Sequence, residues 1–279
     1  MGAVRTWALI VDTWREALAR YTLLGFVLVS ALFLLILTFA LNLDIVDGSL
    51  AAGTLFGKAL EFHHRTAAID TVVVTGQSVF AGMLYVLGVF LAVFATGSQV
   101  PNLQHRGTVD LYVTRPITRT HLLLGRFLGA ITLVTANLLF LCGGVFLIIS
   151  LKTKVWNPRF LLATGLILIV FISFLGFMYL VGVLSSSTPL SIMLPYALYM
   201  VSMPLAAHDH IAAAMDSRFW ANVVHALYWV LPKTAEVGRD LTGYVLGRTT
   251  PTLMPLATTA AFGAACLVGA VVGFNRKSF

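Results

Sequence analysis

The chain has 279 residues, 59% of them hydrophobic and only 10% charged, with a mean hydropathy of +0.92. Soluble domains carry about 25% charged residues, so a soluble enzyme is excluded and a polytopic membrane protein is indicated. The net charge of +7 brings no nucleic-acid partner with it: the basic residues form no long run and sit at the ends of apolar stretches, as a lipid bilayer asks.

The first twenty residues form an amphipathic pattern. Val4, Trp7, Val11, Trp14 and Leu18 fall on one helical face, with Arg5, Asp12, Glu16 and Arg20 mostly opposite. The spacing predicts a helix lying in the membrane interface over residues 1–20. A secretory signal peptide is the competing reading, but its charged start should be short and its apolar core 7–15 residues; here two acids precede a longer apolar run.

Six stretches follow that are apolar enough to span about 30 Å of hydrocarbon: Tyr21–Leu43, Thr71–Thr96, Phe127–Leu151, Phe160–Leu184, Leu190–Ala207 and Thr252–Phe274. None contains Lys, Arg, Asp or Glu. The fourth and fifth are parted only by "SSSTP" (Ser185–Pro189), a turn-forming cluster. The expected fold is therefore an all-α polytopic membrane protein forming a single domain over 1–279. It has an interfacial helix, six transmembrane helices, a polar loop at 97–126 between spans two and three, and an outer segment at 208–251 before span six. The five tryptophans, Trp7, Trp14, Trp156, Trp220 and Trp229, all fall outside the spans, where amphipathic rings prefer to sit. Cys142 and Cys266 lie within spans and read as small hydrophobes.

Orientation is a close contest. With the N-terminus inside, Lys and Arg divide nine inside and nine outside. The longer outer loops count for less in the positive-inside rule, which favours both termini in the cytoplasm and a place in the cytoplasmic (inner) membrane.

Several chemistries are missing. No phosphate loop is present: Gly57-Lys58-Ala59 lacks the leading glycine and the hydroxyl. No HExxH or Gly-x-Ser-x-Gly signature offers a hydrolytic site. The mid-span polar groups are amides and hydroxyls, such as Gln77, Asn137, Ser173 and Ser202. Ion-driven transporters need titratable groups there, so energy for any uphill movement must enter from another chain. His63-His64 and His208-Asp209-His210 could hold a transition metal if their loops met. Loop histidines are more often solvated and this spacing is not a zinc pattern, so no metal or other cofactor is expected in the chain.

The densest polar segment is "GSQVPNLQHRGTVDLYVTRPITRTHLLLGR", between spans two and three. Pro101 suits the first turn of a short helix, Pro116 forces Arg115 out of the α region, and Thr118 or Thr120 can cap span three. Arg115, Arg119 and Arg126 could serve only as membrane anchors. That reading leaves Gly107, Asp110, the Arg-Pro hinge and the length unexplained.

The stretch "RGTVDLYVTRPITRTHLLLGRFLGA" resembles the signature loop of type-2 ATP-binding-cassette (ABC) exporter permeases, most of all those of the nitrous-oxide-reductase maturation and gliding-motility type. Gly107, Thr108, Asp110, Leu111, Thr114, Arg115, Pro116, Ile117, Thr118, Arg119, Gly125 and Arg126 match the pattern in order; His105-Arg106 stand where an acid commonly precedes it. The resemblance implies that the loop carries a coupling helix docking on a cytoplasmic ATPase, with Arg106, Gly107, Thr108, Asp110, Leu111, Arg115, Pro116 and Arg119 as the coupling residues. It also implies two ATPase subunits holding ATP and Mg, a second permease copy, and no catalysis in this chain.

In that family short helices before span six dip into the bilayer and close an outer gate. Trp220, Trp229 and Pro232 are the matching candidates here; an interfacial helix without a gating role is the other reading of the same spacing. Gly125 and Gly129, and Ala265, Gly269 and Gly273, recur every four residues, as close helix packing in lipid requires. The function expected is export driven by a separate ATPase. The alternatives are a non-transporting scaffold or channel that docks a cytoplasmic partner through residues 101–121, and a metal-handling protein using the outer histidines.

Overall fold

The computed structural model describes residues 2–19, 21–46, 49–55, 58–59, 69–103, 118–215 and 217–277. Helices α1 (Gly2–Ala19) and α2 (Thr22–Ala40) are followed by a three-stranded antiparallel sheet, β1 (Leu41–Val46), β2 (Ser49–Leu55) and β3 (Lys58–Ala59), in that order. Then come α3 (Ile69–Thr96), α4 (Gln99–Leu103), α5 (Arg119–Thr153), α6 (Pro158–Ser185) and α7 (Thr188–Ser202). A 3₁₀ turn at Pro204–Ala207 leads to α8 (His208–Ala213), α9 (Arg218–Val230), α10 (Thr234–Val245) and α11 (Leu253–Arg276). The sheet adds strands that the apolar pattern did not foretell, but the long elements are all helical.

Among the described residues, five helical stretches are long and apolar enough to cross a membrane, or six if the bent pair α1 and α2 counts as one. The chain is thus a multi-pass membrane protein. The pair meets at 72°, with Tyr21 at the elbow in the left-handed region (φ +58°). The span ends follow local chemistry. Lys154 and Ser186 turn left-handed to stop α5 and α6, donating back to Ser150 and Gly182. Asn157 caps α6 by accepting from the Arg159 N–H, with Pro158 in the first turn. α5 starts at Arg119 rather than near Phe127, because the hydroxyl of Thr118 caps it by accepting from the His121 N–H.

Hydrogen bonds sort the helix ends into two faces. On one, Arg119 Nη1 donates to Lys277 O (2.6 Å), and Lys277 Nζ donates to Val183 O (2.9 Å) and Ser186 Oγ (2.6 Å). This face carries α1, α4 and the end of α11. On the other, Lys152 Nζ donates to Thr38 O (2.6 Å) and Asn157 Nδ2 to Val245 O (3.1 Å).

The core lies around α6, whose Phe171, Phe174, Leu175 and Tyr179 are almost fully buried. Its packing on α11 is backbone against backbone: a side-chain carbon on Gly176 would overlap the Gly263 carbonyl, and one on Gly263 would overlap Ser173. Lipid supplies no hydrophobic drive between helices, so this close approach and the bond from Ser173 Oγ to Thr259 O (2.7 Å) hold the pair. Of the expected packing stripe, Gly269 and Gly273 lie beside Leu180 and Val183. Ala265 is exposed, because the buried stripe of α11 is Pro255, Thr259, Gly263, Cys266, Ala270 and Phe274.

Gly176→Ala should destabilise the protein by about 1–3 kcal/mol through overpacking, whereas Gly165→Ala, where nothing stands within 4 Å, should be neutral or slightly stabilising. Thermal unfolding of both variants in one detergent checks this.

Candidate functional site

Arg126 dominates the face that carries both termini. The sequence marks it as an anchor near the membrane end of span three, yet it is 3% exposed. Its Nη2 lies 3.0 Å from Asp12 Oδ2 and its Nη1 contacts Glu16 Oε2. Both acids come from α1, one helical turn apart on the same side, so the guanidinium fork meets two carboxylates. A buried cation in an apolar bundle demands such partners.

The same interface explains two glycines. A side-chain carbon on Gly125 would overlap Leu9, and one on Gly129 would overlap Thr13. The face of α1 turned to α5 is therefore centred on Leu9, Thr13 and Ala17, all buried, with Trp14 at its edge. Trp7 and Leu18 point outward, at 66% and 45% exposure. Trp14 donates to Thr132 Oγ1 (3.1 Å). The acids of α1, Asp12 at 48% and Glu16 at 26% side-chain exposure, lie beside that face and pair with Arg126 instead of meeting water alone.

Around this clamp the ends of the polar segment are fastened. On the N-terminal side, Gln99 Oε1 accepts from Tyr179 OH (3.2 Å), and Val100 and Leu103 of α4 are buried. A crevice lined by Thr13, Glu16, Ser98, Gln99, Asn102 and Arg126 opens beside them. On the C-terminal side, Arg119 holds the Lys277 carbonyl, and Asn275 Nδ2 donates to Thr120 Oγ1 (2.9 Å). Arg106, Gly107, Thr108, Asp110, Leu111, Arg115 and Pro116 lie outside the described residues. Of the expected coupling residues, only Arg119 is placed.

At the opposite end, the turn between α9 and α10 enters the bundle. Thr234 O accepts from Tyr85 OH (2.7 Å), Thr234 Oγ1 meets Ser202 Oγ (2.6 Å), and the Lys233 N–H donates to Thr259 Oγ1 (3.1 Å). Tyr85 lies about 24 Å along α3 at 1.5 Å per residue, so this tip is level with the middles of the long helices. α10 then rises to the far surface, where Asn157 meets Val245. Lys233 is 4% exposed. Its Nζ sits 4.1 Å from the Tyr228 ring centre, 4.5 Å from that of Trp229 and 3.2 Å from Met254 Sδ. Aromatic faces therefore stabilise the ammonium in place of water. Of the expected gate residues, Pro232 is buried at the tip while Trp220 and Trp229 are 57% and 59% exposed.

Lys233 and Thr234 escaped the sequence reading. Their signal was "HALYWVLPKTAEV", in which a single lysine follows a proline inside an apolar run. Asp12 and Glu16 were visible as a one-turn acidic pair, but their partner lies more than 100 residues away.

No protein-family model matches the chain, and no curated protein matches it.

Replacing Arg126 by Met should cost about 2–4 kcal/mol, below the fully buried range because Asp12 is half in water. It should also free α1, so that a thiol-specific reagent labels Leu9→Cys quickly in the Arg126→Met background and slowly otherwise. Cys142 and Cys266 are both buried and give little background. Oxidation of a Ser202→Cys, Thr234→Cys pair should cross-link α7 to the hairpin tip, read as resistance to separation after cleavage between the two positions.

Proposed function

We propose that the chain is the membrane-spanning permease subunit of a type-2 ABC exporter, working as two copies with two ATPase subunits. The observation that carries this reading is the fastening of both ends of the 104–117 segment to one frame. Leu103 is buried at one end, and Arg119 and Thr120 bind the C-terminal tail at the other. A segment that resembles a docking loop and hangs from such a frame can pass a push to α1, α5, α6 and α11 together.

In this reading the face with both termini is cytoplasmic and the protein sits in the inner membrane. The chain lacks a phosphate loop, so ATP and Mg would bind the partner and turnover would belong to it. Closure of the partner's two ATPase chains would press on the loop through Asp110 and Arg115. The α9–α10 hairpin, whose tip reaches mid-bundle, would close the opposite end. A scaffold or channel docking a partner by the same loop is the alternative.

Asp110→Asn combined with Arg115→Gln should abolish permease-stimulated ATP turnover by the copurifying ATPase while membrane insertion and yield stay normal. Normal stimulation in the inserted double variant would remove the coupling role, and a partner without a nucleotide site would favour the scaffold.

A further inference from the structure

On the face away from the termini, three side chains from two helices converge. His208 opens α8, Asp209 follows it, and His225 stands seventeen residues on, midway along α9. One ligand atom from each lies within 4.8 Å of the other two. We propose that His208, Asp209 and His225 form a binding site for a divalent transition cation of the zinc type.

Three features support this. His208 Nε2 and Asp209 Oδ1 are 3.3 Å apart. That matches the ligand–ligand separation of about 3.3 Å set by tetrahedral bonds of 2.0–2.1 Å. The gap between Asp209 and His225 can close by rotation of Asp209, whose side chain is 79% exposed. The His208 ring is held in place: it stacks on Tyr228 at 3.6 Å and 10°, and meets His225 edge-on at 5.3 Å. Tyr228 is itself fixed by donating to Glu236 Oε1 (2.7 Å). Finally, His225 brings a second imidazole to the pair from the neighbouring helix. A simple His–Asp ion pair accounts for the 3.3 Å contact, but not for the second imidazole.

The donor set selects the ion. Two imidazoles and one carboxylate suit zinc or copper(II), whereas calcium and magnesium want a shell of oxygens. Three protein ligands leave a fourth position for water or an exchangeable ligand. A bound cation would also brace α8 against α9, just above the hairpin tip.

The sequence pairs His208 with His210; the structure instead brings His225 to the site. This gives a sharp control. The full chain, purified in detergent with any affinity tag removed and stripped by chelator, is titrated with Zn²⁺ by calorimetry, with thermal unfolding in parallel. One equivalent should bind the wild type and raise its unfolding temperature. His225→Gln should lose that equivalent, and Asp209→Asn should weaken it at least about tenfold. His208→Phe keeps a ring to stack on Tyr228, so it should fold normally yet bind no Zn²⁺, while His210→Ala should bind like the wild type. Equal loss in His210→Ala, unchanged binding in His208→Phe, or no binding by the wild type would each overturn the site.

Discussion

Arg126 occupies a place where a guanidinium is costly, and its partners arrive from the first helix, more than 100 residues earlier. A lone charge buried among spans would pull water in or force the helix outward. Asp12 and Glu16 offset that cost, and in doing so they fix α1 across α5. Everything on this face then follows from α5 being held. Its first two turns can extend beyond the apolar layer, carrying Arg119 and Thr120 to the C-terminal tail. Lys277 in turn grips the end of α6.

The two ends of the bundle are built on different physics. On the termini side, charge and hydrogen bonds lock several chain segments together around the polar segment. At the other end, the α9–α10 tip is held by hydroxyls and backbone groups: Tyr85, Ser202 and Thr259 all bind the Lys233–Thr234 turn. Lys233 rests on aromatic faces instead of a carboxylate. Between the two ends the helices touch through glycines, with Gly176 and Gly263 bringing α6 and α11 to backbone contact.

Much of this architecture is readable in the sequence, and the failures have a common cause. Lipid demands long apolar runs, so helix positions follow from composition. The start of α5 does not, because charges mark a span's end only while they face water. Arg126 is neutralised by acids more than 100 residues earlier, which no local pattern reveals. The same partnership turns α1 so that Leu9, Thr13 and Ala17 face inward. The four-residue spacing of Gly125 and Gly129 shows a close approach without naming the helix that makes it. At α11, Ala265 fits the small-residue spacing yet is exposed, because Gly263 rather than residue 265 meets the Gly176 backbone. His225 was missed because nearness in sequence favoured His210, while the fold favours a residue on the next helix.

The proposed role stands or falls on what the 104–117 segment touches in the cell. A photo-activated cross-linking residue placed at Leu111, in otherwise native protein in its own membrane, would report this by mass identification of the adduct. The account predicts a covalent adduct with a chain bearing a nucleotide-binding phosphate loop. It should be lost when Asp110 and Arg115 are neutralised, and it should not form when the cross-linking residue is moved to a lipid-facing control position. Adducts with lipid alone, or with a partner that has no nucleotide site, would contradict it.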